Sequence, residues 1–382
     1  MKAKDILSLI PDKLFDDLSA TTDVDYKVKK LNGRVVFTLL MYSLLTQREP
    51  TLRVIEQVFN SFKFKRLAGL DDEQSVRHSS ISERITNIDY RYFEAIYRHC
   101  VSHYKSNLPK SSKLIRFDST LVSLSCKLID IGFRSGGCQE KVKQLKFTVG
   151  YSDVPEIANF YHEPRFNSEN VALFDTIMEH DTEVGQIILV DGGLQARNAF
   201  DAMTDNGKLF ITKTVPKYAS KPYQEHEIPV SSRTDIKIIK DHTVWLFNRR
   251  PKRSKHPYRI IHALVKNQTE EIAFLTNNHE LKAIEVADLY QKRWDIEVFF
   301  KFLKHELNLK HFLNRSINGI QVILYTILTL SVLVYQYKKA NNLGSKVAKL
   351  RLAFEFEEEL IKHIVILSGG DPNKINPKEH FF

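Results

Sequence analysis

Gln186-Ile187-Ile188-Leu189-Val190-Asp191-Gly192-Gly193 is the stretch on which the fold turns. Four apolar residues in a row, three of them β-branched, lack the alternation of a half-exposed strand. They read as a short strand buried on both faces of a sheet. The run stops at Asp191, and the carboxyl end of a buried strand is where open α/β sheets place ligand-binding residues. An aspartate before Gly-Gly also serves as an ordinary turn residue. Both readings stand until the neighbouring elements are considered.

Working outward, Lys113 to Ser125, Lys141 to Tyr151 and Ile157 to Phe166 carry the β-branched and aromatic residues of strands. Val171 to Glu179 and Leu194 to Met203 have helical character, and Lys208 to Thr214 is a further strand. Three strands, helix, strand, helix, strand predicts an α/β sheet. Asp118 falls inside the first strand, in Ile115-Arg116-Phe117-Asp118-Ser119-Thr120, where a carboxylate among apolar neighbours is disfavoured unless it has a purpose. Residues 216–276 break the α/β order and predict a basic, β-rich insertion.

The first hundred residues read as helical. Leu31 to Leu45, Leu52 to Phe62 and Tyr90 to Tyr104 show helical apolar spacing, and Ser80 with Glu83 predicts a capping box at a helix start. The division expected is a helical DNA-binding domain over 1–105, a catalytic domain over 113–312 and a helical region over 313–382. Ile320 to Tyr337 is apolar enough to raise the question of a membrane span, but Gln321, Thr326, Thr329, Ser331 and Gln336 favour a buried core helix. Three cysteines without C-x-x-C spacing argue against a disulfide framework or a structural zinc site. The net charge of +10 favours an acidic partner, with nucleic acid foremost. No secretory leader is recognisable at the start, and a cytoplasmic, nucleoid-associated protein is expected, without a membrane partner.

Tyr290, Arg293, Glu297 and Lys304 are spaced by three, four and seven. On one continuous helix they share an arc of roughly 60°. Leu289, Ile296, Phe299, Phe300, Leu303 and Leu307 form a neighbouring apolar arc that predicts burial. A carboxylate beside a phenol, a guanidinium and an ammonium suits metal and phosphate chemistry, although an Arg–Glu pair at i, i+4 is also a common surface feature. Asp118, Asp191 and Glu297 together offer three hard oxygen ligands of the kind Mg²⁺ takes.

The arrangement resembles the ribonuclease-H-like DDE transposases of bacterial insertion sequences, and more narrowly the IS-four family, which includes the Tn-five transposase. The signature Tyr-x-x-Arg-x-x-x-Glu-x-x-x-x-x-x-Lys is matched by Tyr290, Arg293, Glu297 and Lys304, and the surrounding Arg293-Trp294-Asp295-Ile296-Glu297-Val298-Phe299-Phe300-Lys301 is also typical of the family. The fold implied is a ribonuclease-H-like α/β core with a β-rich insertion, a helical domain before it and helices after it. The resemblance implies that Asp118, Asp191 and Glu297 bind two Mg²⁺ ions, with Mn²⁺ as a substitute, and that Tyr290, Arg293 and Lys304 hold phosphates. It implies cut-and-paste transposition: cleavage at terminal inverted repeats and strand transfer into target DNA, by a homodimer, with a hairpin intermediate possible in the family. Where relatives often carry Arg after the second aspartate, Gly192-Gly193 stand here and Arg197 follows later.

Arg249, Arg250, Lys252 and Arg253 belong to a run of six cations in eleven residues and predict a DNA-phosphate loop. Trp294 is expected beside the site, and Trp245 is expected in the core of the insertion. The alternative to an active enzyme is a catalytically inactive or domesticated DNA-binding protein that keeps the fold. A junction-resolving nuclease fits less well, given the insertion and the signature.

Overall fold

A computed structural model describes residues 1–106, 114–124, 132, 143–218, 220–228, 235–247, 253–266, 270–309 and 313–374. The chain forms two compact units: Pro109–Ser123 with Gly132–Phe300, and Met1–Leu108 with Leu124–Ile131 and Lys301–Phe382. The helices at both ends of the chain thus share one unit.

The first of these units is built on one nine-stranded sheet. Its strands are β1 (Leu114–Leu124), β2 (Lys143–Tyr151), β3 (Pro155–Tyr161), β4 (Ile187–Val190), β5 (Leu209–Thr214), β6 (Ser220–Glu225), β7 (Ile236–Leu246), β8 (Tyr258–Val265) and β9 (Glu271–Thr276). The order is β3-β2-β1-β4-β5-β9-β8-β7-β6. β1, β4 and β5 are parallel, and β9 returns antiparallel to β5. The predicted succession of three strands, helix, strand, helix and strand is therefore present. The β-rich insertion is also present, but its strands extend the main sheet through β9 instead of forming a sheet of their own.

The unbroken apolar run of β4 has a direct cause. Ile188 and Val190 face a core with Ile115, Phe117, Leu173, Phe200 and Met203, on the side of helices α8 (Glu169–Glu179) and α9 (Arg197–Asp205). Ile187 and Leu189 face the opposite core with Ile211, Phe274, Val286 and Ala287, the last two on α10 (Ala283–Gln291). A strand covered on both faces leaves no position for a polar residue until it ends.

The other unit is helical: α1 (Ala3–Leu7), α2 (Asp12–Thr22), α3 (Gly33–Thr46), α4 (Leu52–Asn60), α5 (Phe62–Ala68), α6 (His78–Asn87) and α7 (Tyr90–Ser106), then α12 (Ile317–Asn341) and α13 (Ser345–Leu367). α12 packs on α7, with Tyr325 stacked on Tyr90. The apolar window of α12 is 83% buried. Its hydroxyls are satisfied locally, Thr326 donating to the Val322 carbonyl and Thr329 to that of Tyr325, both at 2.8 Å. A helix enclosed in this way by protein is a core helix.

One cap prediction fails. The Ser80–Glu83 capping box does not form, because α6 starts earlier, with Arg77 at its N-cap and no side-chain cap of its own. Glu56 of α4 supplies the acceptor instead, taking the His78 N–H at 2.8 Å. Local spacing could not show that a neighbouring helix would cap this one.

Candidate active site

The parallel register of β1 and β4 aligns Leu114 with Ile187 and Phe117 with Val190. One step further brings Asp118 level with Asp191. Strand alternation turns Arg116 and Asp118 away from the side of Ile115 and Phe117, which pack toward α8 and α9. They lie toward α10 and α11 (Trp294–Glu306).

The signature residues do not lie on one helix as expected. α10 ends at Gln291 and α11 begins at Trp294, so Tyr290 sits on the first helix, Arg293 in the turn, and Glu297 and Lys304 on the second. The cause is Arg116, which is 6% exposed. Its Nε donates to the Lys292 carbonyl at 2.7 Å, Nη1 to the Ser152 carbonyl at 2.7 Å, and Nη2 to Asp295 Oδ2 at 2.7 Å. A side chain inserted at a carbonyl is a recognised cause of a helix break. Here the Arg293 and Ile296 N–H groups bond three residues back, to the Tyr290 and Arg293 carbonyls. The predicted apolar arc is nevertheless buried: Ile296, Phe299, Phe300, Leu303 and Leu307 are all enclosed. Phe299 stacks on Tyr151 at 4.5 Å and Phe300 packs edgewise on Phe147, fixing the first turns of α11 on β2.

Arg293 is the hub of the site. Its Nη2 donates to Glu297 Oε1, and its Nη1 lies 3.7 Å from Asp118 Oδ2. Asp191 and Tyr290 also act on the guanidinium: burial lowers its pKa, and Tyr290, Glu297 and Asp191 together raise it above the ordinary value. Asp118 is 17% exposed. Burial pushes its carboxyl up to about 6, Asp191 and Glu169 adding to the rise while the Ser119 N–H and Arg293 oppose it. The Ser119 N–H donates to Asp118 Oδ1 at 2.7 Å. Tyr290 is raised to about 12, chiefly by burial, and packs on Phe274.

The turn after β4 is held closely. Thr212 donates to the Asp191 carbonyl at 3.1 Å, and Asn170 Oδ1 accepts from the Gln195 and Ala196 N–H groups at 2.8 and 3.0 Å. Gly192 lies close against backbone, and Gly193 faces the end of a movable side chain. A Cβ on Gly192 would lie 3.0 Å from the Lys213 carbonyl oxygen, and one on Gly193 would lie 1.7 Å from Glu169 Oε2. A carboxylate beside this turn, Glu169, acts on Asp118 and was not singled out in the sequence. Its only signal was the Gly-Gly pair, which reads first as a turn. Arg116 was missed as well, although a cation between Ile115 and Phe117 on a strand was a visible anomaly.

The three carboxylates are the right kind of donor for a hard divalent cation, but only Asp118 and Glu297 contact the Arg293 guanidinium. Among the described residues, no three carboxylate, imidazole or thiol groups stand close enough to share one ion. Asp118 and Glu297 are engaged with Arg293 in this arrangement.

Of the remaining expected residues, Trp294 is 62% exposed at the start of α11. Lys304, in the last turn of α11, belongs to the helical unit. Arg249, Arg250 and Lys252 lie outside the described residues, as do Cys126 and Cys138. Arg253 is described: its guanidinium covers the Trp245 ring at 4.2 Å, with Tyr223 edge-on to the same ring. Trp245 is half-buried, not the core residue expected, because it lies on β7 beside the outermost strand β6, where one side of the ring is left to Arg253 and Tyr223.

The transposase DDE domain family matches residues 128–333, more than half of the chain. The chain belongs to this family. A Sinorhizobium fredii protein assigned as a transposase, y4zB, is 25% identical over 156 residues, 38% of this chain and 43% of that protein. A Geobacillus stearothermophilus protein described as a transposase for insertion sequence element IS5377 is 23% identical over 258 residues, 64% of this chain and 62% of that protein. The chain thus spans less than two thirds of the length of these relatives. Among solved structures, the piggyBac transposase in a synaptic complex with hairpin DNA superposes with a TM-score of 0.51 at 10% identity, covering all of this chain and 86% of that one. The likeness is one of fold, and the mixed α/β architecture is the one expected.

Proposed function

We propose that this DDE transposase carries out cut-and-paste transposition of an insertion sequence, cleaving DNA at terminal inverted repeats and joining the freed ends to target DNA. The observation that carries the reading is the meeting of β1, the end of β4 and the start of α11 around one guanidinium, with Asp118 and Glu297 paired to Arg293 and Asp191 acting on it. Asp118, Asp191 and Glu297 would hold two Mg²⁺ ions. When bound, the ions activate water and stabilise the attacking and leaving oxygens of an in-line phosphoryl displacement.

The remaining work belongs to side chains of this protein. Arg293 carries a rigid fork of donors suited equally to carboxylate and phosphate. Tyr290 presents a phenol that burial keeps protonated. These two, with Lys304, bind phosphates at the transposon end, and Trp294 and the cations at 249–253 extend the contact along double-stranded DNA. A homodimer holds two ends together. In support, α13 leaves Val347, Leu350, Phe354 and Ile361 exposed at spacings of three, four and seven, an unpaired apolar stripe on one helix face.

The test is cleavage of a duplex bearing the inverted repeats that flank the gene, with Mg²⁺ or Mn²⁺. Asp118→Asn, Asp191→Asn and Glu297→Gln should bind the duplex and fail to cut it. Unchanged cleavage by Glu297→Gln would sink the metal assignment, and an uncut duplex with the unaltered protein would favour the inactive DNA-binding reading.

A further inference from the structure

We propose that α6 and the lysine-bearing loop ahead of α3 form a surface that reads base sequence in the major groove of duplex DNA. The inference deepens the transposon-end reading above and rests on it. It assigns recognition of the end's sequence to the helical unit.

α6 has two faces of different character. Ile81 and Ile85 are buried. Ser80, Glu83 and Asn87 are exposed and share an arc of roughly 60° on the far side, with Arg77 exposed at the N-cap. With Lys30 these four line a groove of about 540 Å³, against roughly 30 Å³ for one water. Among the described residues, no hydrogen bond or ion pair within 4 Å engages the side chains of Arg77, Ser80, Glu83 or Asn87. The set has the chemistry of base edges: arginine pairs with guanine, asparagine with adenine, a carboxylate accepts from cytosine N4, and serine serves either way. A surface that held phosphate alone would gain nothing from a glutamate at its centre.

α6 is held firmly at both ends. Glu56 takes the His78 N–H at 2.8 Å. Asn318 of α12 donates to the Thr86 and Ile88 carbonyls at 3.0 and 2.6 Å, and Asn314 to the Ser82 carbonyl at 3.0 Å. Ten residues of helix span about 15 Å, and the major groove is about 12 Å wide.

The loop supplies the charge. Lys27, Lys29 and Lys30 are all exposed on it. Arg84 of α6 straps it down, Nε donating to the Leu31 carbonyl at 2.8 Å and Nη2 to that of Val24 at 2.5 Å. Lys30 Nζ reaches the Ser75 carbonyl at 3.2 Å, on the other side of the groove. The loop's own Asp25 is occupied, accepting the Gly33 N–H at 2.6 Å and the Ser19 hydroxyl. In the acidic run before α6, Asp72 is paired with Arg66. Glu83 is thus the single carboxylate lining a groove that also carries Lys30, Arg77 and Arg84. Cations fixed beside a helix face of base-reading groups match a duplex, whose phosphates flank its base edges.

The experiment measures binding of the full chain by fluorescence anisotropy at several salt concentrations. One duplex carries the inverted repeats that flank the gene, and the other is a shuffled sequence of equal length. Lys27→Gln, Lys29→Gln and Lys30→Gln together are expected to weaken binding to both duplexes alike and to flatten the log–log salt slope by about two to three units. Glu83→Ala and Asn87→Ala are each expected to lower the preference for the repeats about tenfold and to leave the shuffled duplex bound at least as tightly. Unfolding curves establish that each variant is folded. If neither Glu83→Ala nor Asn87→Ala changes the preference while the unaltered protein prefers and cuts the repeats, sequence reading by α6 is overturned and the transposase reading stands. An unchanged salt slope in the triple lysine variant overturns the role of the loop. If the unaltered protein neither prefers nor cuts the repeats, the reading of transposon ends fails and the role of α6 fails with it.

Discussion

Arg116, buried on β1, donates to the main-chain carbonyl of Lys292 at 2.7 Å, at the point where α10 gives way to α11. Five residues after that carbonyl comes Glu297, and one residue after it comes Arg293. The sheet therefore sets the angle at which the signature residues enter the site. Arg116→Met should leave the Lys292 and Ser152 carbonyls without this donor and destabilise the protein by about 3 kcal/mol, measured by urea unfolding. Arg116→Lys should recover little, since one ammonium lacks the fork that reaches three acceptors. A loss below about 1 kcal/mol would mean that the helix break has another cause.

Arg293 neutralises the carboxylates in the absence of other cations. Arg293→Ala should leave Mn²⁺ binding intact or strengthen it while weakening binding to end DNA. Its log–log salt slope should flatten by about one unit, as expected for the loss of one phosphate contact. Fluorescence anisotropy at several salt concentrations measures this. An unaltered slope would remove Arg293 from the phosphate contacts.

Asp118 shows the pH dependence of a buried acid. Its folded pKa of about 6 lies above the unfolded value near 3.8. Between those values the folded state holds the extra proton, so stability falls as pH rises from about 4 to about 6 and the penalty is full above that. Asp118→Asn should therefore stabilise the protein by an amount on the order of 3 kcal/mol at pH 8, and by almost nothing below pH 4. Urea unfolding at the two pH values checks it. A gain that is larger in acid would have the wrong sign.

Trp294 and Trp245 are the two tryptophans of the chain. With Trp245→Phe, the remaining Trp294 should emit as a solvent-exposed indole and be quenched freely by acrylamide, given its 62% exposure. Addition of duplex DNA should protect it. Quenching that DNA leaves unchanged would place Trp294 outside the DNA interface.

Most of the sheet was legible because burial on two faces writes itself plainly: Ile187 to Val190 had no polar residue, and Asp191 marked where the strand stopped. Asp118, Asp191 and Glu297 could be chosen from 46 acidic residues because each stood at an unusual place in its element. What escaped the sequence was long-range. The helix break between Tyr290 and Glu297 depends on Arg116, some 176 residues away in the chain. The cap of α6 depends on Glu56. Periodicity describes how a segment relates to itself and carries nothing about a side chain arriving from elsewhere. Trp245 belongs to the same group, since its half-buried state follows from lying one strand in from the edge of a sheet whose order only the fold reveals.

β9 pairs with β5 on one side and β8 on the other, and the chain then runs directly into α10. The insertion is consequently not a removable module. Excising residues 216–276 would take β9 with it, strip β5 of a neighbour and present a bare hydrophobic strand edge open to pairing with other chains. It would also detach the peptide that leads into α10 and the turn bearing Arg293. Length variation in this region is best tolerated in the segments that join β6 to β7 and β7 to β8, where added residues leave every rung of the ladder between β5 and β9 in register.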